Sequence, residues 1–237
     1  MKKIFFPFLL LLIGLCSLSA CGGDDNDGQD GKNKNLPPTT GEYIINGHKF
    51  IDLGLPSGLL WADCNIGAST PKEFGSSFAW GEIETKTDFT WANYKFQNGS
   101  SKFSLETVFY VSKYNSLDNK KTLLAEDDVA TMKWGEKCHM PTQLDMKELC
   151  EKCIWKWESG GCTVTGPNGK SIYLPATGRL LSNEITNKGT AGYYWTRSRS
   201  VEKPAEAYHL IMYDDSRFYN STLLRSYGIY VRAVAEK

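Results

Sequence analysis

Cysteine is the residue type in this sequence whose spacing most readily suggests chemistry. Cys150 and Cys153 form a Cys-x-x-Cys pair, a spacing that redox proteins use where a helix begins, because the positive helix start lowers the thiol pKa. Here the pair falls inside the apolar stripe of a helix that we expect to begin at Thr142. Both sulfurs therefore belong to the buried face of that helix, and the spacing does not favour a redox pair.

A zinc site is a second chemistry open to these residues. Cys138, His139, Cys150 and Cys153 are of the types that bind tetrahedral zinc. Their spacing matches that of no familiar zinc module. The sequence therefore predicts no metal site, and nothing in it calls for a cofactor.

Cys64, in the stretch LLWADCNIG, raises the question of a nucleophile. A cysteine nucleophile needs a histidine base, and the chain contains only His48, His139 and His209. Nothing in the sequence brings any of them to Cys64. On the residues alone, a structural disulfide and simple apolar packing both remain open for this cysteine.

Two pairs of carboxylates could suggest glycoside hydrolysis, which needs two acidic groups on either side of one sugar bond. Asp127 and Asp128 stand at the start of a predicted helix, where carboxylates complement the helix dipole. Asp214 and Asp215 fit a turn equally well. Both pairs are better explained as structural, so we predict no catalytic residue.

Aromatic side chains offer a different kind of site, since an exposed ring can stack on a sugar. We take Trp91, Trp195, Tyr213 and Tyr219 as the candidates for ligand binding. Trp195 lies in GYYWTRS, which has the pattern of a central strand, and we expect its ring to be in the core.

The N-terminal region has the pattern of an export signal. Lys2 and Lys3 precede a short apolar run, and Leu-Ser-Ala-Cys follows at 18–21. This resembles the lipobox of bacterial lipoproteins and predicts a signal peptide over 1–20 and acylation of Cys21, which would attach the protein to membrane lipid. Residues 21–40 read as a disordered acidic tether. Its acidic start is similar to the tag that sends lipoproteins of Bacteroidetes-type bacteria to the outer face of the outer membrane.

The elements that must position these residues lie in a single predicted domain, 41–237. Asn46-Gly47 predicts a hairpin turn, LLWADCNIG a third strand, and 68–116 a long region with little regular structure. Two helices follow, one ending at Gly135 and one capped by Thr142. The remainder alternates between strands and turns. The expected fold class is α+β.

Acidic and basic residues balance, which argues against a nucleic-acid partner.

Several segments in order strengthen this interpretation, namely DLGLPSGLLWADCNIGA, FGSSFAWGE, DDVATMKWG, MPTQLDMKEL, GPNGKSIYLPATG, GYYWTRS and YGIYVRAV. Together they resemble the major paralogous domain first named from Fibrobacter succinogenes. The resemblance implies a C-type lectin-like fold, with two helices flanking a twisted antiparallel sheet and long irregular loops, in the branch shared with the formylglycine-generating enzyme. In relatives the cysteines that match Cys64 and Cys153 tend to occur together, which implies a disulfide between them. Cys138, Cys150 and Cys162 remain unassigned.

The function that follows by fold analogy is that of a non-catalytic binding module. We expect a lipoprotein on the cell surface whose ligand is a glycan or another protein. The alternatives are an enzyme, either a cysteine–metal oxidase-like relative or a glycan hydrolase, and a structural adhesin or appendage subunit. The tripeptides with which calcium-dependent lectins bind sugars, Glu-Pro-Asn and Gln-Pro-Asp, do not occur in the sequence.

Overall fold

The computed structural model describes residues 42–104, 106–158, 160–214 and 216–237. The predicted signal peptide, the tether and Cys21 lie outside these residues. Within the described part of the chain, no helix is both long enough and apolar enough to cross a membrane.

The described chain consists mainly of short antiparallel strands. Its helices are α1 (Val129–Trp134) and α2 (Gln143–Lys152), with single 3-10 turns at Trp91–Asn93 and Ala125–Asp127. The strands are β1 Glu42–Ile45, β2 His48–Asp52, β3 Leu60–Ala62, β4 Gln97–Phe103, β5 Glu106–Val111, β6 Cys138–His139, β7 Ile154–Glu158, β8 Gly161–Thr165, β9 Ser171–Pro175, β10 Arg179–Leu181, β11 Glu184–Thr186, β12 Gly192–Arg199, β13 Glu206–Met212, β14 Arg217–Leu224 and β15 Val234–Ala235.

These strands form several small sheets. The largest has the order β1-β2-β3-β15-β6, so the last strand of the chain pairs between β3 and β6. Two three-stranded sheets follow the chain order, β7-β8-β9 and β12-β13-β14, and two hairpins remain separate, β4-β5 and β10-β11.

The predicted fold class, α+β of C-type lectin-like type with two flanking helices, is wrong for this structure. Strands make up 42% of the chain and helices 11%, and the strands are distributed over several small sheets. The helices are short for local reasons. Helix α1 ends at Gly135, whose φ of 93° suits glycine and not other residues. Helix α2 ends at Cys153, because the β-prone sequence Ile154–Trp157 continues as a strand.

The prediction of little regular structure over 68–116 is also wrong in part. The segment contains the β4-β5 hairpin, paired from Gln97 with Val111 to Phe103 with Glu106. The sequence of β5, Glu-Thr-Val-Phe-Tyr-Val, is rich in β-branched and aromatic residues, which favour strands. By contrast, the turn at Asn46-Gly47 is confirmed, with φ values of 50° and 83° between β1 and β2.

Two apolar clusters form the core on opposite faces of the main strands. Along β2, Phe50 belongs to the first core cluster and Ile51 to the second, and Tyr193 and Tyr194 divide in the same way along β12. Successive side chains of a strand point to opposite faces, so both faces of these strands are buried. The first core cluster includes Phe50, Trp80, Phe89, Tyr114, Trp134 and Trp195. The second includes Trp61, Leu149, Leu174, Tyr194, Leu210 and Met212.

Buried arginines tie distant segments to this core. The guanidinium of Arg232 is fully buried and donates to the side-chain oxygen of Asn65 at 2.8 Å and to the backbone carbonyls of Ala62, Asp63 and Tyr173 at 2.8–3.0 Å. Hydrogen bonds to a charged donor are stronger than neutral ones, and those to the carbonyls of Ala62 and Asp63 fix the backbone just before Cys64.

Candidate functional site

A surface groove lies where the C-terminal turn of α2 meets the first residues of β14. It has a volume of about 350 Å³ and is lined by Cys150, Glu151, Ser216, Arg217, Phe218 and Tyr219. We call it the α2–β14 groove. Helix α2 contacts all three strands of the β12-β13-β14 sheet and β14 most extensively, so the groove rests on the scaffold of the second core cluster.

Arg217 provides the positive charge of the groove. Its Nε and Nη2 atoms donate to the backbone carbonyl of Cys150, each at 3.3 Å, and its guanidinium lies 5.3 Å from the centre of the Trp155 ring. A cation near the last carbonyls of a helix is favourable, and so is one over a tryptophan face. Among the described residues no carboxylate forms an ion pair with Arg217. The exposed side chain therefore has donors left for a ligand.

Tyr219 and Glu151 provide the aromatic and acidic parts of the same groove. The Tyr219 hydroxyl donates to Oε1 of Glu151 at 3.3 Å, and the half-buried ring packs against the second core cluster. Arg217 and Tyr219 are two residues apart on one strand and therefore share a face. The neighbouring Phe218 is 46% exposed. The groove thus combines an aromatic ring with a carboxylate acceptor and a guanidinium donor.

The thiols below the groove are not reactive. Cys150, Cys153 and Cys162 are buried members of the second core cluster. Burial raises the pKa of Cys150 to about 12 and those of Cys153 and Cys162 to about 11, although nearby Arg217 opposes the rise in all three. At neutral pH the thiols stay protonated, which is the inert form. The structure thus gives the Cys150–Cys153 pair no redox character.

The expected disulfide between Cys64 and Cys153 does not form in this structure. All five described cysteines are free thiols. The physical reason is their location: Cys153 packs in the second core cluster, whereas Cys64 lies at the end of β3, in a cleft with His48, Lys49, Asp63 and Trp134. The pairing that the resemblance implied is therefore wrong for this structure.

The cleft at Cys64 brings together a thiol and a histidine that sequence reasoning could not connect. Continuing the register that pairs Phe50 with Ala62 sets His48 opposite Cys64. The His48 ring stacks on Trp134, with centroids 4.0 Å apart and planes 16° apart. Burial, and then the charge of Asp63, raises the pKa of Cys64, while burial lowers that of His48. Both shifts oppose the thiolate–imidazolium pair that a cysteine nucleophile uses.

The four aromatic candidates do not form one site. Trp195 is fully buried, as expected, and its Nε1 donates to the carbonyl of Phe78 at 2.8 Å. Trp91 is half-buried and packs against Phe109 at a centroid distance of 4.8 Å. Tyr213 is 38% exposed but does not line the α2–β14 groove. Of the four, the groove contains Tyr219 alone.

The other residues that the sequence analysis considered as zinc ligands or catalytic acids, Cys138, Asp127 and Asp128, lie in structural settings. Cys138 lies in the first core cluster, apart from Cys150 and Cys153 in the second, and no group of three potential ligands in the described residues is arranged to hold a metal ion. Asp127 binds Lys95, Lys113 and the Tyr114 hydroxyl. The Asp128 carboxylate caps α1 by accepting from the amides of Ala130 and Thr131, which confirms its predicted structural role.

Sequence reasoning missed Arg217 and Glu151 as lining residues of the groove, and Trp155 as the ring that contacts Arg217. Arg217 lies two residues before Tyr219, so a strand predicted over this stretch would have placed the two side chains on one face, but no such strand was predicted. Glu151 and Trp155 had no such signal in the sequence, since only the packing of α2 on β14 brings these two residues close to Arg217 and Tyr219.

Comparisons of the chain with protein-family models, with curated proteins and with solved structures found no match.

Proposed function

We propose that the protein is a non-catalytic binding module that recognises a glycan through the α2–β14 groove. The observation that carries the proposal is the combination of Tyr219, Glu151 and Arg217 on one accessible face. A tyrosine ring can cover the apolar face of a sugar ring, while a carboxylate and a guanidinium can exchange hydrogen bonds with its hydroxyl groups. Few well-placed polar groups beside an aromatic surface are typical of small-ligand sites.

The arrangement of the carboxylates supports binding over hydrolysis. The buried carboxylates of Asp127 and Asp128 are occupied by lysines, a tyrosine and backbone amides, so they are not available to flank a sugar bond. Among the described residues that line the groove, Glu151 is the single acidic one, whereas glycoside hydrolysis uses two.

The setting of this module is also part of the proposal. The lipobox-like sequence ending at Cys21 and the acidic residues behind it support a lipoprotein displayed on the outer membrane. The sequence segments that follow one another from DLGLPSGLLWADCNIGA to YGIYVRAV support membership of the major paralogous domain family. The balanced charge of the chain supports ligands other than nucleic acid.

A glycan-array screen of the purified full chain, with and without a chelator, tests the proposed function. We expect binding that is insensitive to the chelator and that Tyr219→Ala weakens by about tenfold, equivalent to about 1.4 kcal/mol. Tyr110→Ala serves as the matched control, since Tyr110 is exposed and lies outside the groove.

Three results would count against this proposal. Binding lost with chelator would require a metal site instead. Equal loss in both tyrosine variants would remove the groove from the explanation. No binding across the array, with the chain folded by circular dichroism, would reject a glycan ligand.

A further inference from the structure

A second groove lies along the β5 side of the β4-β5 hairpin. It has a volume of about 560 Å³, and the segment 202–206 forms its opposite wall. Phe109, Ala205 and Leu224 contribute apolar lining. Phe109 and Leu224 also pack against the first core cluster, so the base of this groove belongs to the core.

Strand β5 has an open edge. In the described chain it pairs with β4 alone, and in an antiparallel ladder a strand directs only part of its backbone groups to one neighbour. The remaining N–H and C=O groups of Glu106–Val111 point away from β4. Apart from its ladder with β4, no backbone–backbone hydrogen bond of the described residues involves 106–110.

The side chains of β5 do not protect this edge. Natural edge strands are often blunted by charged side chains, above all lysine, by proline or by a bulge, and β5 has a charge only at its first residue, Glu106. The sequence Glu-Thr-Val-Phe-Tyr-Val contains neither lysine nor proline, and the register shift of the hairpin lies on the β4 side, between Gln97 and Ser100. Val108 is 39% and Tyr110 49% exposed.

The groove beside this edge carries negative charge. Glu106, Glu202 and Glu206 line it, and Lys203 is the single basic residue among the described lining residues. Lys203 already pairs with Glu206 at 3.5 Å. The carboxylates of Glu106 and Glu202 form no ion pair among the described residues.

From this edge and this charge we infer an interaction surface: β5 binds an extended, lysine- or arginine-bearing segment of another protein, which pairs with it as an added strand. Main-chain hydrogen bonds to β5 give the affinity, and alternate basic side chains meet Glu106 and Glu202. A second copy of this chain is a poorer occupant, because pairing β5 with β5 would bring two acidic grooves together. This surface is separate from the α2–β14 groove and does not depend on the proposed glycan function.

Fluorescence anisotropy of the full chain with a labelled short peptide that alternates lysine and valine tests the inference. A peptide that alternates glutamate and valine controls for charge. A third peptide, identical to the first but N-methylated at alternate backbone amides, cannot donate hydrogen bonds along one edge. We expect saturable binding of the first peptide and at least about tenfold weaker binding of the other two.

Protein variants give the second arm of the test. The double variant Glu106→Lys, Glu202→Lys should weaken binding of the lysine peptide about tenfold and favour the glutamate peptide. Glu136→Lys, Glu184→Lys makes the same charge change at exposed positions outside the groove and should bind as the parent does. Tyr219→Ala should also leave peptide binding unchanged.

Several outcomes would overturn the inference. If the N-methylated peptide bound as tightly as the unmethylated lysine peptide, strand addition would be excluded. If both double variants lost the same affinity for the lysine peptide, the effect would be due to the net charge of the protein and not to this groove. A dimer by sizing that Val108→Lys converts to monomer would assign the edge to a second copy. If the groove variant does not fold, a salt titration of the parent replaces it, and binding of the lysine peptide that does not weaken with salt contradicts the charge argument.

Discussion

At the residue scale, His209 shows how the core overrides the chemistry that a residue type suggests. In the sequence it was one of three histidines that could have served Cys64 as a base. In the structure it is buried on β13, with its ring stacked against Tyr193 at 5.9 Å and edge-on to Trp195 at 6.0 Å. Burial, aided by the charge of Arg179, lowers its pKa to about 3. It is therefore a neutral core side chain.

The low pKa of His209 predicts acid destabilisation. The unfolded chain takes up a proton near pH 6.5, whereas the folded chain does not until about pH 3. The stability is therefore complete above pH 6.5 and is lost as the pH falls from 6.5 towards 3, with a slope of up to about 1.4 kcal/mol per pH unit from this residue. Urea denaturation at a series of pH values measures the slope.

The variant His209→Leu isolates this contribution from those of the carboxylates. It keeps an apolar side chain of similar bulk between Tyr193 and Trp195 and removes the titrating group. We expect the unfolding free energy of the parent to fall relative to that of the variant as the pH falls below 6.5. A difference that stays constant over that range would show that His209 ionises equally in both states.

At the element scale, the local start and stop signals of the two helices are reliable. The Thr142 side chain accepts from the Asp145 amide, and the Asp145 carboxylate accepts from the Thr142 amide, which forms a complete capping box. We predict that Thr142→Ala lowers the unfolding free energy by about 1 kcal/mol. Urea denaturation measures the change, and Thr87→Ala, at an exposed threonine outside any helix, is the matched control. Equal effects of the two substitutions would contradict the capping role.

The same element scale shows where sequence patterns were insufficient. The turn at Asn46-Gly47, the helix start at Asp128 and the cap at Thr142 depend on neighbours within a few residues, and all three are found in the structure. The β4-β5 hairpin was missed because glycine and polar residues in β4 hide the alternation that marks a strand. The flanking-helix fold was wrong because it came from a resemblance and not from the strength of the helical signals.

At the scale of the whole molecule, the candidate sites depend on contacts that no local pattern encodes. The α2–β14 groove requires Arg217 to reach the carbonyl of Cys150, 67 residues earlier, and the cleft at Cys64 requires Trp134 beside His48. Tyr219 could be nominated from the sequence as an aromatic residue, but its partners could not. Hydrophobic periodicity predicts which side chains of an element are buried, but it does not predict which other helix or strand packs against them.

The described cysteines differ in exposure, and this difference can test whether all of their thiols are free. Cys64 is half-buried, and Cys138, Cys150, Cys153 and Cys162 are buried, so a thiol reagent should reach Cys64 in the native chain and the other four after unfolding. Comparing the full chain with its Cys64→Ser variant cancels any reaction at Cys16 and Cys21. We expect the variant to lose one equivalent of the fast native reaction and none of the denaturant-dependent reaction. A Cys64–Cys153 bridge predicts a different result. The parent and the variant would then react equally in the native state. After unfolding, the Cys153 thiol would react in the variant, whereas in the parent it would react only after the bridge is reduced.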